Sequence, residues 1–167
     1  EAILKSSNYL QENNLAHAHE HSLEVELPLL QYFNNAAEII PVAFMSDDVE
    51  ALKEIGKNIA SAIIETGDRE AILTVASSDM THYEPKDTAE KKDSYAIKAI
   101  LGLDEEALAQ NLKKYRISMC GFAPVIVMIS MLKRLGAKGA ELIKYTTSAD
   151  VTGDNESVVG YAGIAVY

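Results

Sequence analysis

Three short segments of this chain contain side chains that bind metals or carry protons. Residues 17–21 contain three histidines at alternate positions, residues 77–82 read Ser-Ser-Asp-Met-Thr-His, and Cys120 precedes Gly121. Imidazole, thiolate and carboxylate groups are the usual protein ligands of transition metals, and they are also common proton carriers. If the fold brings these segments together, the sequence predicts a metal or redox site.

The strongest local signal lies at residues 77–82, directly after an apolar run that predicts a buried strand. In open α/β sheets, ligands bind beyond the carboxyl ends of the strands. Asp79 and His82 are spaced so that one turn can aim both side chains inward, where Asp79 orients the imidazole or both contact a metal. The alternative is an Asx-turn beside a surface histidine. The position at a strand end favours function, which makes Asp79 and His82 the catalytic candidates.

Cys120 stands before a long apolar segment that predicts a helix. A helix N-terminus stabilises a thiolate, which suits a metal ligand or a nucleophile, whereas an isolated cysteine is more often an inert core residue. Among the histidines, His21 is the best anchored, because Ser22 beside it is a fair helix N-cap.

Alternating helix and strand patterns must position these segments. The apolar periodicity predicts helices at residues 2–11, 22–33, 47–65, 88–101, 104–115 and 121–135, and strands at residues 39–44, 71–76, 140–147 and 158–166. Pro28 predicts a kink or a late helix start. We therefore expect an α/β fold with a mixed, mostly parallel sheet and helices on both faces.

Composition narrows the range of partners. The 167 residues suit one domain, and a net charge of −10 argues against binding to nucleic acid or to an anionic membrane. The longest apolar run, residues 122–132, is shorter than the roughly 20 residues that a transmembrane helix needs. A single cysteine fits a reducing compartment, so we expect a cytoplasmic protein.

Several motifs together resemble the Memo family, also known as the B component of the AmmeMemoRadiSam set. Residues 20–28 resemble its E-H-S-x-E-x-x-L-P segment, residues 40–42 the strand that follows, residues 77–82 its S-S-D-x-x-H loop, and residues 120–124 its C-G-x-x-P helix start. The family is similar in fold to the class III extradiol dioxygenases, which are non-haem iron enzymes.

The resemblance implies a metal pocket and a set of site residues. His21, His82 and Cys120 become the candidate ligands of iron or copper, with zinc a third option, and Asp79 becomes a neighbouring acid/base group. A metal-dependent redox or dioxygenase-like activity follows, although a thiolate ligand differs from the two histidines and carboxylate of extradiol enzymes. The alternatives are a non-catalytic module that binds a peptide or small ligand in the same pocket, and a relic site.

One departure from the family pattern concerns the length of the chain. Family members carry an earlier Pro-His-Ala-Gly-Tyr-like motif, and this sequence contains none. We therefore expect residues 1–167 to be a C-terminal fragment of a Memo-like α/β domain. The missing N-terminal segment would then complete the sheet and one wall of the pocket.

Overall fold

A computed structural model describes residues 1–67 and 69–167 of the chain. Its helices in chain order are α1 (Ala2–Ser6), α2 (Asn14–His17), α3 (Leu27–Phe33), α4 (Val49–Thr66), α5 (Lys86–Leu101), α6 (Glu105–Tyr115), α7 (Phe122–Arg134) and α8 (Ala149–Thr152). Single 3-10 turns lie at Glu24–Glu26 and Arg69–Ala71. The strands are β1 (His82–Glu84), β2 (Ala140–Thr147) and β3 (Val158–Val166).

The main core forms between the long helices α4 and α7. Helix α4 is capped by Asp48, whose carboxylate accepts the backbone N–H groups of Glu50 and Ala51, as expected of an N-cap. Its buried stripe repeats at helical spacing, and α7 is buried on most of its circumference. These long helices, with α5 and α6, confirm the predictions from periodicity to within a few residues at each end. Within the described residues, no helix combines the length and apolarity that crossing a bilayer needs.

The three described strands form one sheet in the order β1-β3-β2. The long pair β2 and β3 runs antiparallel from Ala140 opposite Val166 to Thr147 opposite Gly160. The short β1 pairs with the start of β3, which places His82 opposite Val159. Helix α5 packs on this sheet. The central strand β3 therefore supports the loop that precedes His82.

The expectation of a mostly parallel sheet is not confirmed, because every described strand pair is antiparallel. A parallel pair requires a crossover between the two paired strands. Helices α5, α6 and α7 do lie between β1 and β2 in sequence, but those two strands are not neighbours in the sheet. Strands β2 and β3 follow each other through a short connection and pair antiparallel.

The predicted strands at residues 39–44 and 71–76 are wrong for the described structure. Both runs lie outside the sheet, and no backbone hydrogen bond of the described residues pairs either run with a neighbouring strand. Their apolar side chains are largely exposed, as in Ile40 at 73% and Leu73 at 78%. An apolar run shows that a segment favours burial, but a strand forms only where another backbone offers its hydrogen-bonding groups.

The helices predicted near the N-terminus are shorter than expected. The segment 2–11 is helical only over α1, which packs against α4. The segment 22–33 divides into the turn Glu24–Glu26 and α3, with Pro28 in the first turn of α3. Pro28 therefore gives the late helix start that its fixed φ and missing N–H predict.

Asp150 at α8 gives the protein a pH-dependent contact. Hydrogen bonds from Lys86, from the Thr146 hydroxyl and from the backbone N–H of Thr147 lower the pKa of Asp150 to about 2. A depressed folded-state pKa adds stability above the ordinary pKa near 4, and this stability is lost as the pH falls through about 2. We expect Asp150→Asn to be less stable than the parent at pH 6 by urea unfolding, with the difference closing towards pH 2. A difference that stays constant down to pH 2 would contradict this assignment.

Candidate metal centre

The loop at residues 77–81 is attached to the central strand of the sheet. The Met80 N–H donates to the Gly160 carbonyl, and the Gly160 N–H donates to the Thr81 carbonyl, both at 2.9 Å. Met80 and Thr81 are buried, so water does not compete for these bonds. The loop thereby brings Asp79 and His82 to one end of β3.

His82 is held by Ser118 through both its backbone and its ring. The His82 N–H donates to the Ser118 hydroxyl at 2.8 Å, and the Nδ1 atom lies 2.7 Å from the Ser118 carbonyl oxygen. Because a carbonyl only accepts hydrogen bonds, Nδ1 carries the proton, and in the neutral ring the lone pair lies on Nε2. The Nε2 atom is 3.5 Å from the Asp79 carboxylate. This is the tautomer of a histidine that binds a metal through Nε2.

Cys120 meets the loop from the other side, just before α7. The Asp79 N–H donates to the Cys120 Sγ at 3.2 Å, and the Gly121 N–H donates to the Ser78 hydroxyl at 2.9 Å. A Cβ on Gly121 would lie 2.2 Å from the Ser77 carbonyl oxygen, so a glycine allows the helix start to contact the loop. The Cys-Gly motif and the Ser-Ser-Asp motif therefore contact each other directly.

Asp79, His82 and Cys120 offer three ligand atoms that all lie within 4.8 Å of one another. Ligand atoms of one tetrahedral zinc-sized ion are roughly 3–4 Å apart, given bonds of about 2.0–2.3 Å. A small contraction of this group is enough to meet that geometry. The carboxylate, the Nε2 lone pair and the sulfur are all electron-pair donors of the kinds that ligate transition metals. The arrangement is therefore a possible metal-binding group.

His21 is not part of this group in the structure. Its side chain is 81% exposed, and its Nδ1 lies 3.0 Å from the Glu24 carboxylate. Glu20 beside it accepts the hydroxyl and the backbone N–H of Ser22 and the N–H of Leu23, and the Ser22 hydroxyl bond lowers the pKa of Glu20. The segment is thus a capped turn. The role of His21 as a metal ligand stays a prediction.

Sequence reasoning missed two residues that hold the group in place. Ser118 had no signal, because a serine before an apolar helix is common in any fold. Asp93 is buried under the loop and accepts the Thr81 N–H at 2.9 Å. A signal for it existed: Asp93 falls in the apolar i, i+4 stripe of α5 between Ala89 and Ile97. A carboxylate on a buried face requires hydrogen-bond partners, so its position in this stripe indicates a structural role.

The sequence that forms this group of ligand atoms matches a known family. A family model described as Memo-like protein matches residues 1–165. The chain belongs to the Memo-like family. Its resemblance to that family in the sequence is confirmed, and the matched region contains Asp79, His82 and Cys120.

Several curated archaeal relatives share the Memo-like sequence over nearly the whole chain. A MEMO1 family protein of Methanocaldococcus jannaschii is 43% identical over 99% of this chain and 58% of its own length. A MEMO1 family protein of Methanopyrus kandleri is 41% identical over 98% of this chain and 57% of its own length. A third, from Methanococcoides burtonii, is 40% identical over 98% of this chain and 61% of its own length. This Memo-like chain thus spans about three fifths of the length of these relatives.

Proposed function

We propose that this Memo-like protein binds one transition-metal ion through Asp79, His82 and Cys120 and uses it in redox chemistry. The observation that supports the proposal is the convergence of the three ligand atoms within 4.8 Å, from two segments 38 residues or more apart in sequence. A soft thiolate beside an imidazole and a carboxylate suits iron, copper or zinc. A bound iron or copper ion would supply the electron-transfer chemistry of an oxidoreductase, including a dioxygenase-like reaction.

The residues of the chain have separate tasks in this proposal. The Ser118 carbonyl orients the His82 ring so that its Nε2 faces the group. The Asp79 N–H stabilises negative charge on the Cys120 sulfur. One oxygen of the Asp79 carboxylate can contact the metal while the other accepts a proton from a substrate, which gives Asp79 the acid/base role. His82 then acts as a ligand, because its Nδ1–H donates to the Ser118 carbonyl and its Nε2 contacts the metal. A cytoplasmic, reducing location belongs to the proposal, because the site needs a free thiol.

The test is metal content and affinity, measured anaerobically on the full-length protein for iron(II), copper(I) and zinc(II). We expect one ion per chain. Cys120→Ser and His82→Ala should each weaken binding by at least about 100-fold, since loss of an outer hydrogen-bond partner alone weakens it 10–100-fold. His21→Ala tests whether His21 is a further metal ligand. His19→Ala, in the same exposed segment, is its matched control.

Two outcomes would contradict the proposal. Tight metal binding by the variant with Asp79→Asn, His82→Ala and Cys120→Ser combined would exclude this group as the site. The second outcome is a peptide or small ligand that binds the metal-free protein, measured by calorimetry, with the same affinity in the parent and in a variant without Cys120. Such binding would support the non-catalytic module instead.

A further inference from the structure

Asp93 is a fully buried carboxylate that the proposed chemistry does not use. It lies on the face of α5 that packs on the sheet and has no solvent exposure. A buried carboxylate without hydrogen-bond donors is strongly unfavourable, so such a residue is retained where donors satisfy it. The donors that surround Asp93 therefore show which parts of the chain it connects.

Both carboxylate oxygens of Asp93 have a donor. Oδ1 accepts the backbone N–H of Thr81 at 2.9 Å, and Oδ2 accepts the phenol of Tyr145 at 2.8 Å. Burial and this hydrogen bond raise the pKa of the Tyr145 phenol, which remains a donor at physiological pH. Asp93 thus links α5, β2 and the loop before His82.

The sheet leaves room for this carboxylate at one position of its central strand. A Cβ on Gly160 would lie 2.0 Å from Asp93 Oδ2 and 3.0 Å from the Tyr145 hydroxyl. The same Gly160 forms the two backbone hydrogen bonds with Met80 and Thr81. The two residues between Asp79 and His82 are therefore held by the strand on one side and by Asp93 on the other.

We propose that Asp93 is a positioning residue for the metal group, because its bond to Thr81 fixes the loop conformation that directs Asp79 and His82 towards Cys120. The effect on metal binding depends on the proposed function of the site. The anchoring of the loop does not, and it can be measured without metal.

The experiment compares variants of the full-length protein by anaerobic cobalt(II) titration and by amide hydrogen exchange. Cobalt(II) reports a thiolate ligand through a near-ultraviolet charge-transfer band, and its visible bands report the geometry. In Asp93→Ala we expect cobalt affinity to fall about 10–100-fold, with altered visible bands. The Met80 amide should exchange about tenfold faster relative to the core amide of Ile126. Met80 is informative because Asp93→Ala leaves its acceptor, the Gly160 carbonyl, in place.

Three further variants separate positioning from general destabilisation. Asp93→Asn keeps an oxygen for the Thr81 N–H and should bind cobalt within about threefold of the parent. Leu108→Ala removes a fully buried side chain of α6, so it should lower the melting temperature while leaving the Met80 to Ile126 exchange ratio unchanged. Thr147→Val removes a buried hydroxyl next to Gly160 that has no partner among the described residues, and it should change neither readout.

Each result decides one part of the proposal. Parental cobalt affinity and parental Met80 protection in Asp93→Ala would overturn it, and so would equal losses in Asp93→Asn and Asp93→Ala. If Asp93→Ala does not fold, Tyr145→Phe removes the donor that holds the other carboxylate oxygen of Asp93. An anchoring role then predicts a faster Met80 exchange relative to Ile126, and an unchanged ratio would overturn it. If the parent protein binds no cobalt, the proposed metal function fails, and the exchange ratio alone decides whether Asp93 anchors the loop.

Discussion

Gly121→Ala should destabilise the protein by about 3 kcal/mol or more and weaken metal binding at the same time. Overpacking a tight contact typically costs about 1–3 kcal/mol, and occasionally more. Here the new Cβ would lie 2.2 Å from the Ser77 carbonyl oxygen and 2.5 Å from the Ser78 Cβ. The carbonyl belongs to the backbone and cannot rotate away as a flexible side chain can. The loop and the start of α7 must separate, which moves Asp79 away from Cys120.

The matched control for this prediction is Gly102→Ala. The nearest atoms to a Cβ at Gly102 are carbonyl oxygens at 3.5 Å, and its backbone has a helical φ of −79°. Alanine in such a position stabilises by about 0.4–1 kcal/mol, because it restricts the unfolded chain. Urea unfolding of both variants measures the difference. A free energy of unfolding for Gly121→Ala equal to that of the parent would show that the loop and α7 do not make this contact.

Gly160→Ala should also lower stability by about 3 kcal/mol or more, through a different mechanism. Its Cβ would lie 2.0 Å from Asp93 Oδ2, so the carboxylate must leave its donors while it remains buried. The cost of an unsatisfied buried group is about 1–3 kcal/mol for a neutral one and larger for a charge. We expect a lower urea midpoint and loss of protection at the Met80 amide, whose acceptor is the Gly160 carbonyl.

A double variant tests this mechanism directly. Asp93→Ala removes the carboxylate that would lie 2.0 Å from the new methyl group and leaves the Tyr145 hydroxyl at 3.0 Å. Gly160→Ala should therefore cost much less in that background than in the parent. Residues in direct contact show interaction energies of about 0.5–3 kcal/mol in such cycles. If the two substitutions are additive in urea unfolding, the destabilisation by Gly160→Ala does not come from Asp93, and the anchor described above is wrong.

The four long helices α4, α5, α6 and α7 were predictable because each carries its own signal. Helix α4 combines an Asp48 N-cap with a buried stripe at helical spacing, and α7 combines Gly121 with an apolar segment. These signals are local, since a helix satisfies its backbone hydrogen bonds within itself. The bounds of β2 and β3 were also predictable, because the two strands are consecutive and pair with each other.

The errors concern segments whose structure depends on a distant backbone. Residues 39–44 and 71–76 have the composition of buried strands, yet neither run pairs with another strand in the described structure. The direction of a strand also depends on a distant backbone. Composition does not distinguish a parallel from an antiparallel neighbour when both faces of the strand are apolar. Pairing is decided by the position of the other chain segments.

The sequence by itself determined the family and named Asp79, His82 and Cys120 as candidates, because their types and neighbours form motifs that can be read locally. Only the tertiary structure decided which of them meet. In the structure the Asp79 carboxylate lies with His82 and Cys120 and adds a third ligand atom, whereas His21 lies on an exposed turn. The structure also shows that Ser118 holds His82 and that Asp93 holds the loop before it. The physical reason is that a ligand group is defined by distances of a few ångströms between residues far apart in sequence. Those distances come from backbone contacts such as that of Gly160 with the loop, for which the chain has no local signal.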